Sequence, residues 1–189
     1  VDAPGDLAAG GLADRVGASN HPAWRVERAR ARAVATGTRP IDAIQHNATY
    51  LRVRPGTLPP GVVHPAGPLS DEHRDLAAAE GLEIWAYTPL LTGAYDNPGK
   101  PIPEVFDHPG NTERLRVLDA AAADLGMQRG QVVLAWLVAS GIRPLLGGSK
   151  AAQLDLALAA AATPLPDAWR ERMDAVDRPE HVSPLEARP

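Results

Sequence analysis

Short apolar segments alternate with helical segments along this chain, and this alternation limits its fold more than any other feature. The strand candidates are residues 12–18, 41–45, 82–87 and 143–146. Repeated strand–helix units build a parallel sheet, and their crossovers are right-handed. The fold class is therefore α/β. Four such units suit either a small doubly wound sheet or half of an eight-stranded (β/α)8 barrel of the TIM type.

Helix limits are set by capping residues and by glycines. Ser70 and Asn111 are favourable N-caps, each directly before a predicted helix. Gly81 and Gly126 are suited to ending these two helices. The predicted helices cover residues 23–35, 71–80, 112–125, 131–140, 150–162 and 166–176. Residues 88–110 contain five prolines, so we expect no regular structure there. Loops of this length are usually functional or mobile.

The composition excludes several classes of function. A formal net charge of −4 gives no basic surface for nucleic acid. The chain has no cysteine, which excludes disulfides, thiolate zinc sites and cysteine nucleophiles. No apolar run approaches the roughly 20 residues of a membrane span, and no signal peptide is visible, so we expect a cytoplasmic protein without a membrane partner. The first residue is Val1 and the only methionines are Met127 and Met173, so we expect a piece of a longer translation product.

Polar and small residues follow every predicted strand, at the position where ligands bind in parallel α/β folds. After the first strand come Ser19, Asn20 and His21; the second ends with Gln45, His46 and Asn47; at the end of the third stand Tyr87, Thr88 and Pro89; after the fourth come Gly147, Gly148, Ser149 and Lys150. Hydroxyls, amides and one aromatic ring suit a neutral or anionic ligand.

Several of these residues have both a structural and a functional interpretation. The two glycines and Lys150 at a helix start fit a phosphate site, but they equally fit a tight turn. Tyr87 is suited to stacking on a flat ring or to ordinary packing. The histidines are acid–base candidates or core residues. The six histidines of the chain share no ligand spacing, so we expect no metal site.

Five segments together resemble the aldo-keto reductase family. They are RVGASNHPAWRVERA (15–29), IDAIQHN (41–47), GLEIWAYTPLLTGAY (81–95), LGMQRGQVVLAWLVASGIRPLLGGSKAAQL (125–154) and the last helix with Trp169. They occur in family order and at family spacing. The resemblance implies that residues 1–176 form the C-terminal half of a (β/α)8 barrel, roughly its strands five to eight, followed by an irregular tail over 177–189.

The resemblance also implies a cofactor site. It matches Ser19, Asn20 and Gln45 to the residues that hold the nicotinamide carboxamide; Tyr87 to the aromatic that stacks on the ring; Thr88, Pro89, Leu90 and Leu91 to the turn under the pyrophosphate; and Gly148, Ser149, Lys150 and Gln153 to the segment around the adenosine 2′-phosphate. A lysine beside that phosphate favours NADP(H) over NAD(H). The implied activity is NADP(H)-dependent reduction of aldehydes or ketones to alcohols, with a small-molecule carbonyl substrate.

Two departures from the family pattern limit this expectation. Leu156 and Ala157 stand where the family usually has Glu-Asn near the adenine, so adenine recognition should be weaker or different. The family's catalytic Asp, Tyr, Lys and His belong to the N-terminal half, so no catalytic residue is assigned here. The alternatives are a non-catalytic half-barrel that binds or scaffolds, and a cofactor-free cyclase or isomerase. Both a homodimer and pairing with the missing half-barrel stay open as ways to cover the sheet edges.

Overall fold

Four parallel strands form a single sheet in the computed structural model, which describes residues 10–148 and 151–176. The elements in chain order are β1 (Gly17–Ser19), α1 (Ala23–Ala35), β2 (Ala43–Asn47), α2 (Asp71–Glu80), β3 (Glu83–Tyr87), α3 (Thr112–Leu125), α4 (Arg129–Ala139), β4 (Ile142–Pro144), α5 (Ala151–Ala162) and α6 (Asp167–Ala175). The strand order is β1-β2-β3-β4. The predicted α/β class with repeated strand–helix units is confirmed.

The strand register brings the candidate residues to one edge of the sheet. Ser19 lies opposite Gln45, and Asn47 lies opposite Tyr87. Because all four strands run in the same direction, their carboxyl ends and the loops that follow them lie on the same side.

Two faces of the sheet differ in burial because side chains alternate along each strand. On one face, Ile44, Ile84 and Ile142 are buried among the helices. The other face carries Gln45 and Trp85, which are half-buried. The sequence of α4 is apolar nearly all round, which is typical of a buried helix, and seven of its residues between Gly130 and Leu137 are buried.

Three of the four residues predicted to begin or end helices do so in the expected way. The Ser70 side chain accepts a hydrogen bond from the backbone N–H of His73. Gly81 and Gly126 end α2 and α3 in the left-handed conformation, with φ of 65° and 63°. The predicted Asn111 cap is wrong, because its side chain makes no capping hydrogen bond. Its Nδ2 donates instead to the carbonyls of Arg52 and Phe106, at 2.8 and 2.7 Å.

The first strand is shorter than predicted. The prediction for 12–18 is wrong over its first five residues, since β1 begins only at Gly17. Gly17 pairs with Ala43, the first residue of β2, so residues before it have no ladder partner. The N–H of Val16 donates to the Asp42 carboxylate at 3.2 Å, and Leu12 is 78% exposed.

The long connection after β3 also differs in part from the prediction. It contains three short 3₁₀ turns, at Leu91–Gly93, Glu104–Phe106 and Pro109–Asn111. Phe106 is completely buried, so the connection packs into the core rather than extending into solvent. Within the described ranges, no helix is both long and apolar enough to cross a membrane.

Candidate functional site

Four predicted site residues meet at the carboxyl edge of the sheet. The Ser19 hydroxyl lies 3.4 Å from Gln45 Oε1, to which it donates. The Tyr87 hydroxyl donates to Asn20 Oδ1 at 2.9 Å. The backbone N–H of Asn20 donates to the Gln45 carbonyl at 3.2 Å. Three strands thus contribute to one polar cluster, made of Ser19, Asn20, Gln45 and Tyr87.

The backbone of Asn20 adopts a conformation that few residue types tolerate. Its φ of 59° lies in the left-handed region, where asparagine is one of the better tolerated non-glycine residues. Thr88, directly after β3, has a φ of 53°. These two residues turn the chain sharply at the ends of β1 and β3, on either side of β2, at the rim of the sheet.

Two histidines, His46 and His73, pack against each other on the buried side of the sheet, away from the polar cluster. His46 Nδ1 donates to the Ala66 carbonyl at 2.9 Å, and His73 Nε2 donates to the His21 carbonyl at 2.9 Å. Their rings are in contact, with centroids 3.9 Å apart and ring planes tilted by 40°. Since His46 is adjacent to Gln45 on a strand, it points to the opposite, buried face. Burial, reinforced by the neighbouring His73, lowers the pKa of His46 to about 4. It is therefore a neutral core histidine and does not face the cluster.

A groove of about 690 Å³ lies next to the cluster, between the turn after β3 and the start of α5. The predicted residues that line it are Thr88, Pro89, Leu90 and Gln153, and the two departures from the family pattern, Leu156 and Ala157, line it as well. Leu91 is 3% exposed and belongs to the core beneath the groove. Gly148 is exposed in the turn after β4. Ser149 and Lys150 lie outside the described residues.

The turn after β3 is fixed from below by a buried hydrogen-bond chain. Thr49 Oγ1 donates to the Pro89 carbonyl at 2.7 Å and lies 2.7 Å from the Tyr95 hydroxyl. The same hydroxyl accepts from the N–H of Leu51 at 3.3 Å. Burial raises the pKa of Tyr95, so its hydroxyl stays protonated and donates to Thr49. The turn at Pro89, which lines the groove, is therefore attached to the segment that follows β2 through the side chains of Thr49 and Tyr95, which the sequence does not identify as functional.

One wall of the groove contains a contact that the sequence analysis missed. Both carboxylate oxygens of Asp96 lie 3.1 Å from the N–H of Gly130, which donates to them in the first turn of α4. A negative charge at a helix N-terminus is favourable. A Cβ on Gly130 would collide with Asp96 Oδ2. The only signal in the sequence was a glycine near a helix start, which is too common to identify such a contact.

A family model now adds to the geometry. The model described as the aldo/keto reductase family matches residues 2–178. The chain belongs to the aldo-keto reductase family. A search of curated proteins gave no significant match. The predicted resemblance is thereby confirmed at the level of the family.

Two solved structures are similar to this chain in fold. One is a thermostable aldo-keto reductase, Tm1743, in complex with the inhibitor epalrestat; it has a TM-score of 0.63 and 19% identity, and the match covers 90% of this chain and 51% of that one. The other is a putative 2,5-diketo-D-gluconic acid reductase B, with a TM-score of 0.65, 20% identity, and coverage of 100% and 55%. The chain therefore spans about half the length of these structures.

Metal ligands are not grouped in the described part of this chain. Within residues 10–148 and 151–176, no three histidine, aspartate or glutamate side chains are placed to hold an ion. The chemistry available at the carboxyl edge is instead hydrogen bonding by amides and hydroxyls, stacking by one phenol ring, and an adjoining groove with mixed polar and apolar walls.

Proposed function

We propose that this chain is the cofactor-binding half of an NADP(H)-dependent reductase that converts aldehydes or ketones into alcohols. The observation that carries the proposal is the cluster of Ser19, Asn20, Gln45 and Tyr87 beside the groove. Amides and hydroxyls match the hydrogen-bonding groups of a carboxamide, and a phenol ring matches a flat pyridine. The groove volume of about 690 Å³ is within the range of small-molecule and cofactor sites.

Each part of the cofactor has a set of residues in this proposal. Ser19, Asn20 and Gln45 hold the carboxamide; Tyr87 stacks on the ring; Thr88, Pro89, Leu90 and Leu91 form the turn under the pyrophosphate; Gly148, Ser149, Lys150 and Gln153 surround the 2′-phosphate. Because the Leu91 side chain is buried, only its backbone is available to a ligand. When bound, the reduced dinucleotide supplies the hydride that adds to the substrate carbonyl carbon.

The chain contributes binding and orientation, and the acid–base step belongs to residues outside it. We assign its four strands to roughly strands five to eight of a (β/α)8 barrel. The coverage of 51% and 55% of the two similar structures supports the presence of about half a barrel, and the choice of strands five to eight rests on the resemblance of the sequence segments. In the described residues, β1 and β4 each pair on one side only. That a second copy or the remaining half of the barrel covers these two edge strands stays a prediction, and so does a cytoplasmic location.

The adenine end of the groove is apolar. Leu156 is 47% exposed and lines the groove together with Ala157. Neither side chain donates or accepts a hydrogen bond, so in this proposal the adenine is held by contact with apolar atoms. We therefore expect the 2′-phosphate and the nicotinamide to contribute most of the specificity.

Titration of the full chain with NADPH and NADH by isothermal calorimetry tests the proposal. We expect NADPH to bind more tightly, and Lys150→Ala to weaken NADPH binding by roughly tenfold, since a charge-assisted hydrogen bond is lost. NADH binding should be unchanged in this variant. Arg28→Ala is the matched control, because it removes an exposed positive charge from α1. Binding of neither dinucleotide to the folded chain would contradict the proposal.

A further inference from the structure

The Asn20 side-chain amide makes a hydrogen bond through its oxygen, whereas its nitrogen is available to donate to a ligand. Its Oδ1 accepts the hydrogen bond from the Tyr87 hydroxyl at 2.9 Å. Its Nδ2 has no hydrogen-bond partner among the described residues. Both side chains are half-buried at the carboxyl edge of the sheet. The amide therefore presents its two N–H donors, and not its oxygen, to a ligand at the rim.

The direction of this hydrogen bond follows from the chemistry of the phenol. A phenol hydroxyl has a single proton to donate, and that of Tyr87 has no other acceptor among the described residues. Burial raises the pKa of Tyr87, so the proton stays on the oxygen. Rotating the Asn20 amide by half a turn would place Nδ2 against the hydroxyl and would leave the phenol proton without a protein acceptor.

The surroundings of Asn20 leave little other freedom to its side chain. The backbone is held by the hydrogen bond from Asn20 N–H to the Gln45 carbonyl, at 3.2 Å. The next residue is held by His73, which donates to the His21 carbonyl at 2.9 Å. Gly67 lies against Asn20 Oδ1, which would be 3.5 Å from a Cβ at that position. The backbone on both sides of the Asn20 side chain is thus fixed, and the hydrogen bond from the Tyr87 hydroxyl sets which end of the amide faces the ligand.

We infer that the Tyr87 hydroxyl is a positioning group that sets ligand specificity: it turns the Asn20 NH₂ toward the ligand, so that the site selects a pyridine ring whose substituent presents a carbonyl oxygen. This inference rests on the proposed function and adds a role to Tyr87 that differs from stacking. Phenylalanine would stack equally well, but it would leave the Asn20 amide free to rotate.

The test compares NADP⁺ with its thionicotinamide analogue, in which sulfur replaces the carboxamide oxygen and accepts hydrogen bonds poorly. Calorimetry on the full chain gives the ratio of the two dissociation constants. In the unmodified protein we expect the analogue to bind about three- to tenfold more weakly, which corresponds to one neutral hydrogen bond. In Tyr87→Phe the ratio should fall below about twofold. Any steric effect of the larger sulfur is common to both proteins and cancels in the comparison.

Two further variants make the result decisive. Tyr50→Phe is the matched control, because it removes a tyrosine hydroxyl whose partner is the distant Met173 carbonyl; the ratio should stay at its original value. Asn20→Asp keeps an acceptor for Tyr87 but removes the NH₂, so the ratio should fall as in Tyr87→Phe. This variant decides the question if Tyr87→Phe does not fold.

The outcomes separate this inference from the proposed function. If NADP⁺ binds and the ratio falls in both Tyr87→Phe and Asn20→Asp, the inference is supported. If NADP⁺ binds but the ratio is the same in all variants, the inference is wrong and the proposed function stands. If the folded chain binds neither dinucleotide, the proposed function is wrong and the inference fails with it.

Discussion

The buried imidazole of His46 should make the stability of this chain depend on pH. His46 is completely buried, and its Nε2 has no partner among the described residues. Burial is the main cause that lowers its pKa to about 4 from an ordinary value of 6.5, and the neighbouring His73 and His21 add to the effect. The unfolded chain binds the proton near pH 6.5, whereas the folded chain binds it only near pH 4.

The sign and size of the effect follow from this difference. Between about pH 6.5 and 4 the unfolded state binds more protons, so the free energy of unfolding falls as the pH falls through this range. Above pH 6.5 this group has no effect. A depression of about 2.5 pKa units corresponds to roughly 3 kcal/mol, reached near pH 4. The loss should loosen the segment that contains Ala66, since His46 Nδ1 donates to its carbonyl.

Urea unfolding followed by circular dichroism between pH 7 and 4 measures this dependence. His46→Asn keeps an N–H donor near the position of Nδ1 but does not titrate. We expect the free energy of unfolding of this variant to fall less steeply as the pH is lowered. Its total loss between pH 7 and 4 should be smaller than that of the unmodified chain by up to about 3 kcal/mol. His64→Asn is the control, because His64 is exposed in the loop that contains Ala66, and an asparagine oxygen can take over the hydrogen bond that His64 Nδ1 accepts from the Ala66 N–H at 3.0 Å. If the unmodified chain and His46→Asn gave parallel pH profiles, burial of a neutral His46 would be refuted.

Two other changes test contacts described above. Gly130→Ala should lower the free energy of unfolding by about 1 kcal/mol, because the new Cβ displaces the Asp96 carboxylate from the N–H of residue 130. In a double-mutant cycle with Asp96→Ala, the two losses should be clearly less than additive. Full additivity would exclude coupling between the two residues. Arg114→Met should lower the free energy of unfolding by roughly 2 to 4 kcal/mol, because Arg114 is 1% exposed and its Nη1 donates to the Tyr50 carbonyl at 2.7 Å. Thermal melts check this second value, and a loss below about 0.5 kcal/mol would contradict it.

The parts of the fold that depend on local chemistry were predictable from the sequence. Ser70, Gly81 and Gly126 mark helix ends through their own conformational preferences, and the structure confirms all three. The approximate positions of β2, β3 and β4 followed from apolar runs between turn residues. The parallel arrangement then placed Gln45 and Tyr87 at a common edge, since strand ends in such a sheet share a side.

The parts that depend on distant residues were not predictable. Residues 12–16 have strand-like composition but lie outside the ladder, because β2 begins opposite Gly17. Asn111 precedes a helix as a cap would, yet its amide binds the backbone of Arg52, 59 positions away. The contact between Asp96 and Gly130 joins a loop to a helix start, and neither residue type indicates the other. Such pairings depend on tertiary packing, which sequence periodicity does not encode.

In the described residues, non-glycine backbone strain occurs in the segments that follow β1 and β3. The residues with positive φ are Asn20, directly after β1, Thr88, directly after β3, and Leu91 and Thr92, in the first 3₁₀ turn after β3. Conformations of this kind cost of order 1 to 3 kcal/mol each when the residue is not glycine. Glycine at Thr88 or Thr92 is therefore a direct route to greater heat resistance. The same exchange would make the groove wall less rigid, so selection for thermostability and selection for tight ligand binding should favour opposite residues at these positions.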